Sequence, residues 1–207
     1  KHLEIHGKAD AMLATRSSGR MSIPISIKGS VSFPKDSVPA IALDGFTADV
    51  ASIPIRLDGT VKRTSGQTLI DSRFSIDQCR IEDILDGFAR NLIPEADKIK
   101  TDAVISMQGT CNGLLGKGNI PSIEMSLKIP DSQISHKDIG QSLRISLDAT
   151  AGTDGSGKAN ARINSLKANT YGLDFSLSGG SGDILGEDPL IDMDGYLSAE
   201  ISQLATI

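Results

Sequence analysis

The chain has 207 residues and a net charge of −5, enough for one large all-β domain or two small ones. With 39 % apolar and 23 % charged residues it has the composition of a folded protein, and without a basic surplus it is a poor partner for nucleic acid. Trp is absent and there are only five Phe and two Tyr, so stacking platforms for bases or sugar rings are hard to build. The apolar content is mostly Ile, Leu, Val and Ala, which suits packing against aliphatic chains.

Cys79 and Cys111 are too few for a disulfide framework. Two separate, partly buried thiols are expected, with pairing in an oxidising compartment as the alternative. The sequence shows no secretory leader and no membrane-spanning run. It starts at Lys1, already inside a strand pattern, and reads as a section of a longer protein.

One short pattern recurs along the chain: apolar, any, apolar, any, Gly. It occurs as Leu3-Glu-Ile5-His-Gly7, Ile25-Ser-Ile27-Lys-Gly29, Ile41-Ala-Leu43-Asp-Gly45 and Ile55-Arg-Leu57-Asp-Gly59. It returns as Ile105-Ser-Met107-Gln-Gly109, Phe175-Ser-Leu177-Ser-Gly179 and Ile191-Asp-Met193-Asp-Gly195. The spacing between copies is irregular, so this is no strict solenoid repeat. A strand with one oily and one wet face meets a Gly that permits a bulge or bend, and bent strands build curved sheets.

In chain order, residues 1–33 predict two or three strands with a polar gap at Thr15 to Arg20. Residues 38–63 predict two more, broken near Asp49 to Ser52. Pro24 and Pro54 cannot donate to a ladder, which marks their strands as edges or bulged. Thr64 to Gln67 reads as a hairpin turn, and Thr68 to Ile76 as the strand after it. The rhythm then changes. Ile81, Ile84, Leu85, Phe88, Ala89 and Leu92 recur at helical spacing and predict one amphipathic helix over about 80–93. Glu82 and Asp83 load its first turn, Arg90 its last, and Pro94 stops it. A charged connector follows at Glu95 to Lys100. Strands are predicted at 103–111 and 123–129, around a Gly-rich loop from Asn112 to Asn119. Ile134 to Gln141 reads as irregular. Strands resume at 143–150, 158–168, 171–178 and 192–201. The total is eleven or twelve, hairpin-linked and therefore antiparallel.

Chemical motifs are weak. Gly152-Thr-Asp-Gly-Ser-Gly157-Lys158 matches most of a phosphate-binding loop, but Ala159 stands where a magnesium-binding hydroxyl is needed, and strand alternation follows where a helix is needed. It reads as a hairpin turn. His2, Glu4 and His6 share one strand face; the wet face of a terminal strand accounts for them better than a metal site. Asp192-Met-Asp194-Gly195 lacks the first and last ligands of a calcium loop. No nucleophile elbow is present, and no cofactor or metal is expected.

Size poses a covering problem. A helix of about 12 residues is roughly 18 Å long, whereas twelve strands side by side span about 58 Å. The helix covers only two or three strands. The remaining oily face is either folded over on itself, as a sandwich or half-closed barrel, or left open as a groove for aliphatic ligands.

Several stretches have the look of a known family. These are Ser75-Ile-Asp-Gln-Cys-Arg-Ile-Glu-Asp-Ile-Leu85, Met107-Gln-Gly109, Gly118-Asn-Ile-Pro-Ser-Ile123, and Gly182-Asp-Ile-Leu-Gly-Glu-Asp-Pro189 before another Asp-Gly strand. Together, over roughly residues 50–207, they resemble the C-terminal region of the AsmA-like family of Gram-negative envelope proteins. The resemblance implies a periplasmic body anchored in the inner membrane by a helix outside this sequence, and an association with outer-membrane assembly. It also implies kinship with TamB-like proteins, whose curved sheets form oily grooves for lipids. It brings no catalytic residues.

The reading is therefore a single β-rich domain over 1–207, with a first strand set at 1–79, a capping helix at 80–93 and a second set at 101–207. Its fold class is mainly β, a long curved antiparallel sheet with that helix as cap. The expected function is non-enzymatic binding of lipid acyl chains along an apolar groove. The groove candidates are Ile25, Ile27, Ile55, Leu57, Val61, Ile105, Met107, Met193 and Leu197. Ile81, Ile84, Leu85, Phe88 and Leu92 are expected to face the sheet. The alternative is a scaffold module that binds another envelope protein by strand addition.

Overall fold

The computed structural model describes residues 2–15, 19–33, 40–50, 53–64, 66–86, 95–116, 118–138, 140–154, 156–184 and 186–200. Twelve strands lie among them. They are β1 (His2–Thr15), β2 (Gly19–Ser32), β3 (Ala40–Val50), β4 (Ile53–Thr64), β5 (Gln67–Arg80) and β6 (Ile99–Thr101). After these come β7 (Val104–Leu115), β8 (Ser122–His136), β9 (Ser142–Thr153), β10 (Ala159–Thr170), β11 (Leu173–Gly182) and β12 (Leu190–Ala199). A short helix, α1 (Ile81–Asp86), and one 3-10 turn (Ala96–Lys98) complete the described elements. The fold is mainly β and antiparallel, as the alternation predicts. The strand order is β1-β2-β3-β4-β5-β7-β8-β9-β10-β11-β12, with β6 paired to β8. Apart from β6, each strand thus follows its predecessor in the sheet, the arrangement that short connections favour.

Two compact units divide the chain. The first comprises residues 1–77, 107–125 and 152–158; the second comprises 78–106, 126–151 and 159–207. In the first unit the register sorts residues by face. Ile25 and Ile27 stand opposite Val50 and Ala48; Ala48 and Phe46 stand opposite Ile55 and Leu57; Leu57 and Val61 stand opposite Phe74 and Ile70. Directly opposed residues share a face, so the oily sides of β2 to β5 form one surface. Lys28, Thr47, Arg56 and Ser75 are likewise in register on the other.

The recurring glycine has a consistent place. In the β1–β2 hairpin Ile5 faces Gly29 and Gly7 faces Ile27. In the β11–β12 hairpin Leu177 faces Gly195 and Gly179 faces Met193. In β3–β4 Leu43 faces Gly59, and the register then shifts. Gly7, Gly29, Gly59, Gly179 and Gly195 therefore each meet the second apolar residue of a partner motif. The motif glycine gives room, and the bulge predicted from sequence falls at it as well: the register shifts at Gly29, at Gly45 opposite Gly59, and at Gly179. The β1–β2 ladder runs unbroken past Gly7 and the β11–β12 ladder past Gly195, whereas the β10–β11 register shifts where Ile163 faces Gly179. A bulge does occur at Gly45, which adopts φ +57, a conformation that costs Gly little.

That bulge is tied by Asp58, whose carboxylate accepts the Gly45 amide at 2.6 Å and the Arg56 Nε–H at 3.1 Å. The Gly45 amide, then Arg56, hold the Asp58 carboxyl below its ordinary value of 3.8. Because the folded value lies below the unfolded one, the stabilisation is complete above 3.8 and fades as pH falls through the depressed value. Asp58→Asn is expected to melt below the parent at pH 7, with the gap closing in acid below the ordinary carboxylate range. A gap that stays constant with pH would remove the charge from this account.

Several sequence expectations change. Pro24 and Pro54 lie in interior strands, not edges, and the bulged alternative holds, since the β2–β3 and β3–β4 ladders each carry a register shift. Pro24 precedes the first described β2–β3 pair, Ile25 with Val50, and Pro54 precedes the first β4–β5 pair, Arg56 with Ser75. On their other sides Pro24 pairs with Asp10 of β1 and Pro54 with Asp49 of β3. β7 continues through Leu115, so the Gly-rich loop begins later than predicted, and Gly116 bridges to Asn119 near its tip. β8 runs through His136 where irregular chain is predicted, because Ile99–Thr101 supplies it with a partner.

The helix also differs. It is described only from Ile81 to Asp86, directly after β5; residues 87–94, with Phe88 and Leu92, lie outside the described residues. Buried Leu85 packs with Ala96, and Ile81, Ile84 and Ile99 close around them. The Ile81 amide donates to the Ala103 carbonyl at 2.9 Å. This small cluster of α1, the 3-10 turn and β6 is what the described part of the helix covers, in place of a broad sheet face.

Candidate functional site

The strongest candidate is the apolar face of β1 to β5. Two rows cross it. Gly7, Ile27, Ala48 and Ile55 form one, over β1 to β4. Phe46, Leu57 and Phe74 form the other, over β3 to β5. Each end of the second row rests on a glycine. A Cβ on Gly29 would lie 2.7 Å from the Phe46 ring, and one on Gly109 would lie 2.5 Å from the Phe74 ring. Both phenyl rings lie on bare backbone, which continues the row onto β2 and β7.

The face is oily but not enclosed. Ile25, Ile27, Ile55, Leu57 and Val61 are each partly open to solvent, and so are Phe46, Ile70 and Phe74. Among the described residues no large side chain is fully buried. The buried apolar residues are Val31, Leu85, Cys79 and four alanines at 40, 96, 103 and 159. A two-layer domain of this size would enclose Leu, Ile and Phe side chains between its layers. Here the apolar residues of the first unit form a surface. The opposite face carries Glu4, His6, Lys28, Arg56 and Arg73, all exposed, which fits a wet side.

The sequence candidates fall into separate places. Ile25, Ile27, Ile55, Leu57 and Val61 lie together on the face just described. Met107, half-buried on β7, belongs to the same unit and precedes Gly109 by two residues, on the side of β7 that Phe74 covers. Ile105, Met193 and Leu197 belong to the second unit. There Met193 lies over Gly179, and Leu197 stands opposite Phe175 on β12.

The pattern search missed Phe46, Ile70 and Phe74. Phe46 follows Gly45, and the bulge there moves it back to the oily face out of step with simple alternation. On β5, Ser72 interrupts Ile70 and Phe74, so no motif is visible. The alternation of Phe74 with Ile76 is the signal that reaches one of them.

The remaining chemical motifs resolve into structure. Asp154 organises the β9–β10 turn: its carboxylate accepts the Ser156 amide at 2.9 Å, the Ser156 hydroxyl at 2.6 Å and the Lys158 amide at 3.0 Å. Those bonds hold the Asp154 carboxyl below its ordinary value, the Ser156 hydroxyl first among them. The expected hairpin is what forms. His136 accepts the Asp138 amide at Nδ1, 3.3 Å away, and faces Glu95 through Nε2 at 3.6 Å. Lys98 joins Glu95 and Asp138, so the group ties the 3-10 turn to the end of β8. Among the described residues no cluster of three His, Cys, Asp or Glu side chains is placed to hold a metal. Comparison of the chain with protein-family models, with curated proteins and with solved structures finds no match.

Proposed function

We propose that this chain is a non-enzymatic lipid-handling module that binds acyl chains along the apolar face of β1 to β5. The observation that carries this reading is the face itself, whose aliphatic and phenyl side chains cross paired strands in register and remain partly open to solvent. An acyl chain laid along such rows removes methylenes from water at about 0.8 kcal/mol each. Binding needs no directional groups, which suits a surface of Ile, Leu, Val and Phe. The resemblance to AsmA-like proteins adds the setting: a periplasmic body, anchored in the inner membrane by a segment outside this sequence, serving outer-membrane assembly.

The test is photolabelling of delipidated protein with a phospholipid that carries a diazirine on its acyl chain. Saturable labelling is expected, with adducts on β2 to β5 beside Ile27, Ile55, Leu57 or Phe74. Ile27→Gln combined with Ile55→Gln should reduce labelling several-fold while the circular dichroism spectrum stays that of the parent. Labelling that fails to saturate, or adducts on the polar face, would overturn the proposal.

A further inference from the structure

The first unit carries a second kind of apolar surface, at one end of its strands. There β4 turns into β5, β7 into β8 and β9 into β10, and the three turns touch. The Gln67 Nε2–H donates to the Gly116 carbonyl at 3.1 Å, and a Cβ on Gly157 would lie 3.0 Å from Ile120 Cδ1. Among first-unit residues whose side chains are described, every exposed large apolar one lies toward this end. Leu115 and Ile120 are each 48 % exposed, Leu69 39 % and Leu114 38 %. They belong to β5, β7 and the turn after β7, in the middle of the strand order, with paired strands on both sides.

Two properties separate this end from the oily face of β1 to β5. It is apolar on both sides of the sheet. Leu69 stands opposite Lys62 on the wet side, and Leu114 and Leu115, consecutive in β7, point to opposite sides. Its tip also pairs its own backbone. Gly116 and Asn119 exchange amide-to-carbonyl bonds at 3.1 and 3.0 Å, and the Gly116 carbonyl takes Gln67 besides. Such a tip suits immersion in lipid, where unpaired backbone groups are costly. A strand-adding protein partner, by contrast, needs free backbone groups. Charge fits a lipid surface too. Residues 62–69 and 112–122 hold Lys62, Arg63 and Lys117 and no acid. Asp71 on β5 and Glu124 on β8 lie further along their strands, and by register Glu4 and Asp44 lie deeper still. Residues 33–39 add Lys35 and Asp36, one of each sign. In the β9–β10 turn Asp154 is engaged by Ser156 and Lys158. The following turn at this end, β11–β12, belongs to the second unit and carries Asp183, Glu187 and Asp188, so the basic stretch is that of the β4–β5 and β7–β8 turns.

We propose that the β4–β5 and β7–β8 turns dock on an anionic phospholipid bilayer. Leu114, Leu115 and Ile120 enter the boundary between headgroups and acyl chains from one hairpin tip, and Leu69 follows from the other. Lys62 and Arg63, opposite Leu69 and Thr68, reach the lipid phosphates with their long side chains. The bilayer is met end-on, along the strand direction. This goes beyond acyl-chain binding on the face of β1 to β5 and does not depend on it.

The test uses the whole chain and vesicles of phosphatidylcholine with or without phosphatidylglycerol. Co-sedimentation should be saturable, stronger with phosphatidylglycerol, and weaker as salt rises. Leu115→Ser with Ile120→Ser should weaken it about tenfold or more while keeping the parent's melting temperature, since both side chains are exposed. Lys62→Gln with Arg63→Gln should weaken binding about tenfold on the anionic vesicles alone. The chain has no Trp, so Ile120→Trp supplies a single reporter, which brominated phospholipid should quench. Thr47→Trp, on the wet side of β3, should stay bright. Ile27→Gln with Ile55→Gln should bind vesicles like the parent, which separates this docking from acyl-chain binding. Absence of vesicle binding, undiminished binding with Leu115→Ser and Ile120→Ser, equal quenching of the two Trp variants, or loss of binding with Ile27→Gln and Ile55→Gln would overturn the proposal. So would dimerisation through this end in place of vesicle binding.

Discussion

Gly109→Val is expected to destabilise the first unit by roughly 3 kcal/mol, at the upper end for a residue forced into a filled space. The added Cβ would lie 2.5 Å from the Phe74 ring and 2.6 Å from the Glu124 carbonyl oxygen. A ring can rotate away, but the carbonyl belongs to the neighbouring backbone of β8 and cannot move without breaking register. A fall in melting temperature of about 10 °C is the corresponding reading. Gly7→Val is the matched control. It occupies the same position in the repeated pattern, yet a Cβ there meets nothing within 4 Å, and Val suits a strand. Its expected effect is within about 0.5 kcal/mol. Equal melting of the two variants would show that the ring of Phe74 does not lie on Gly109.

Leu85→Asp is expected to cost about 3 kcal/mol or more, from lost packing and an unpaired charge placed among apolar neighbours. Leu85 is 8 % exposed and is held by Ala96, Ile81, Ile84 and Ile99. The loss should appear first as faster hydrogen exchange at Ile81 to Asp86 and at Ile99 to Thr101. If Leu85→Asp exchanges and melts like the parent, the α1 cluster is not docked. Size explains why the cluster is local. Six described residues of helix give about 9 Å of length, enough to meet a turn and a short strand and too little to roof five strands.

This geometry changes how the repeated Φ-x-Φ-x-G pattern is understood. In an alternating strand its glycine falls on the oily face, where a side chain would otherwise add to the apolar row. Deleting that side chain opens a notch, and the neighbouring strand fills it: Phe46 at Gly29, Phe74 at Gly109, Met193 at Gly179. A sheet without a second packed layer loses the contacts such a layer would supply. Large side chains lying flat on adjacent backbone recover part of that contact within one layer. The same arrangement leaves their outer surfaces open, which is the property that acyl-chain binding requires.

Most of the fold was legible from residue pattern, because the two-residue period of an exposed-and-oily strand is local and its glycine punctuation is local too. Strands, hairpins and the set Ile25, Ile27, Ile55, Leu57 and Val61 follow from that period. The β9–β10 turn follows from Asp154 and the glycines around it. What only tertiary structure decided depends on partners distant in sequence. Pro24 and Pro54 lie on interior strands because β1 and β3, and β3 and β5, arrive to flank them. Ile134 to His136 become strand because Ile99–Thr101 arrives to pair with them. Phe46 joins the oily row because Asp58 fixes a bulge at Gly45, thirteen residues away in sequence. Above all, alternation gives a strand an oily side but carries no information on what lies over it, since cover comes from elements far along the chain. Burial answered that question: the oily side of β1 to β5 stays partly open to solvent.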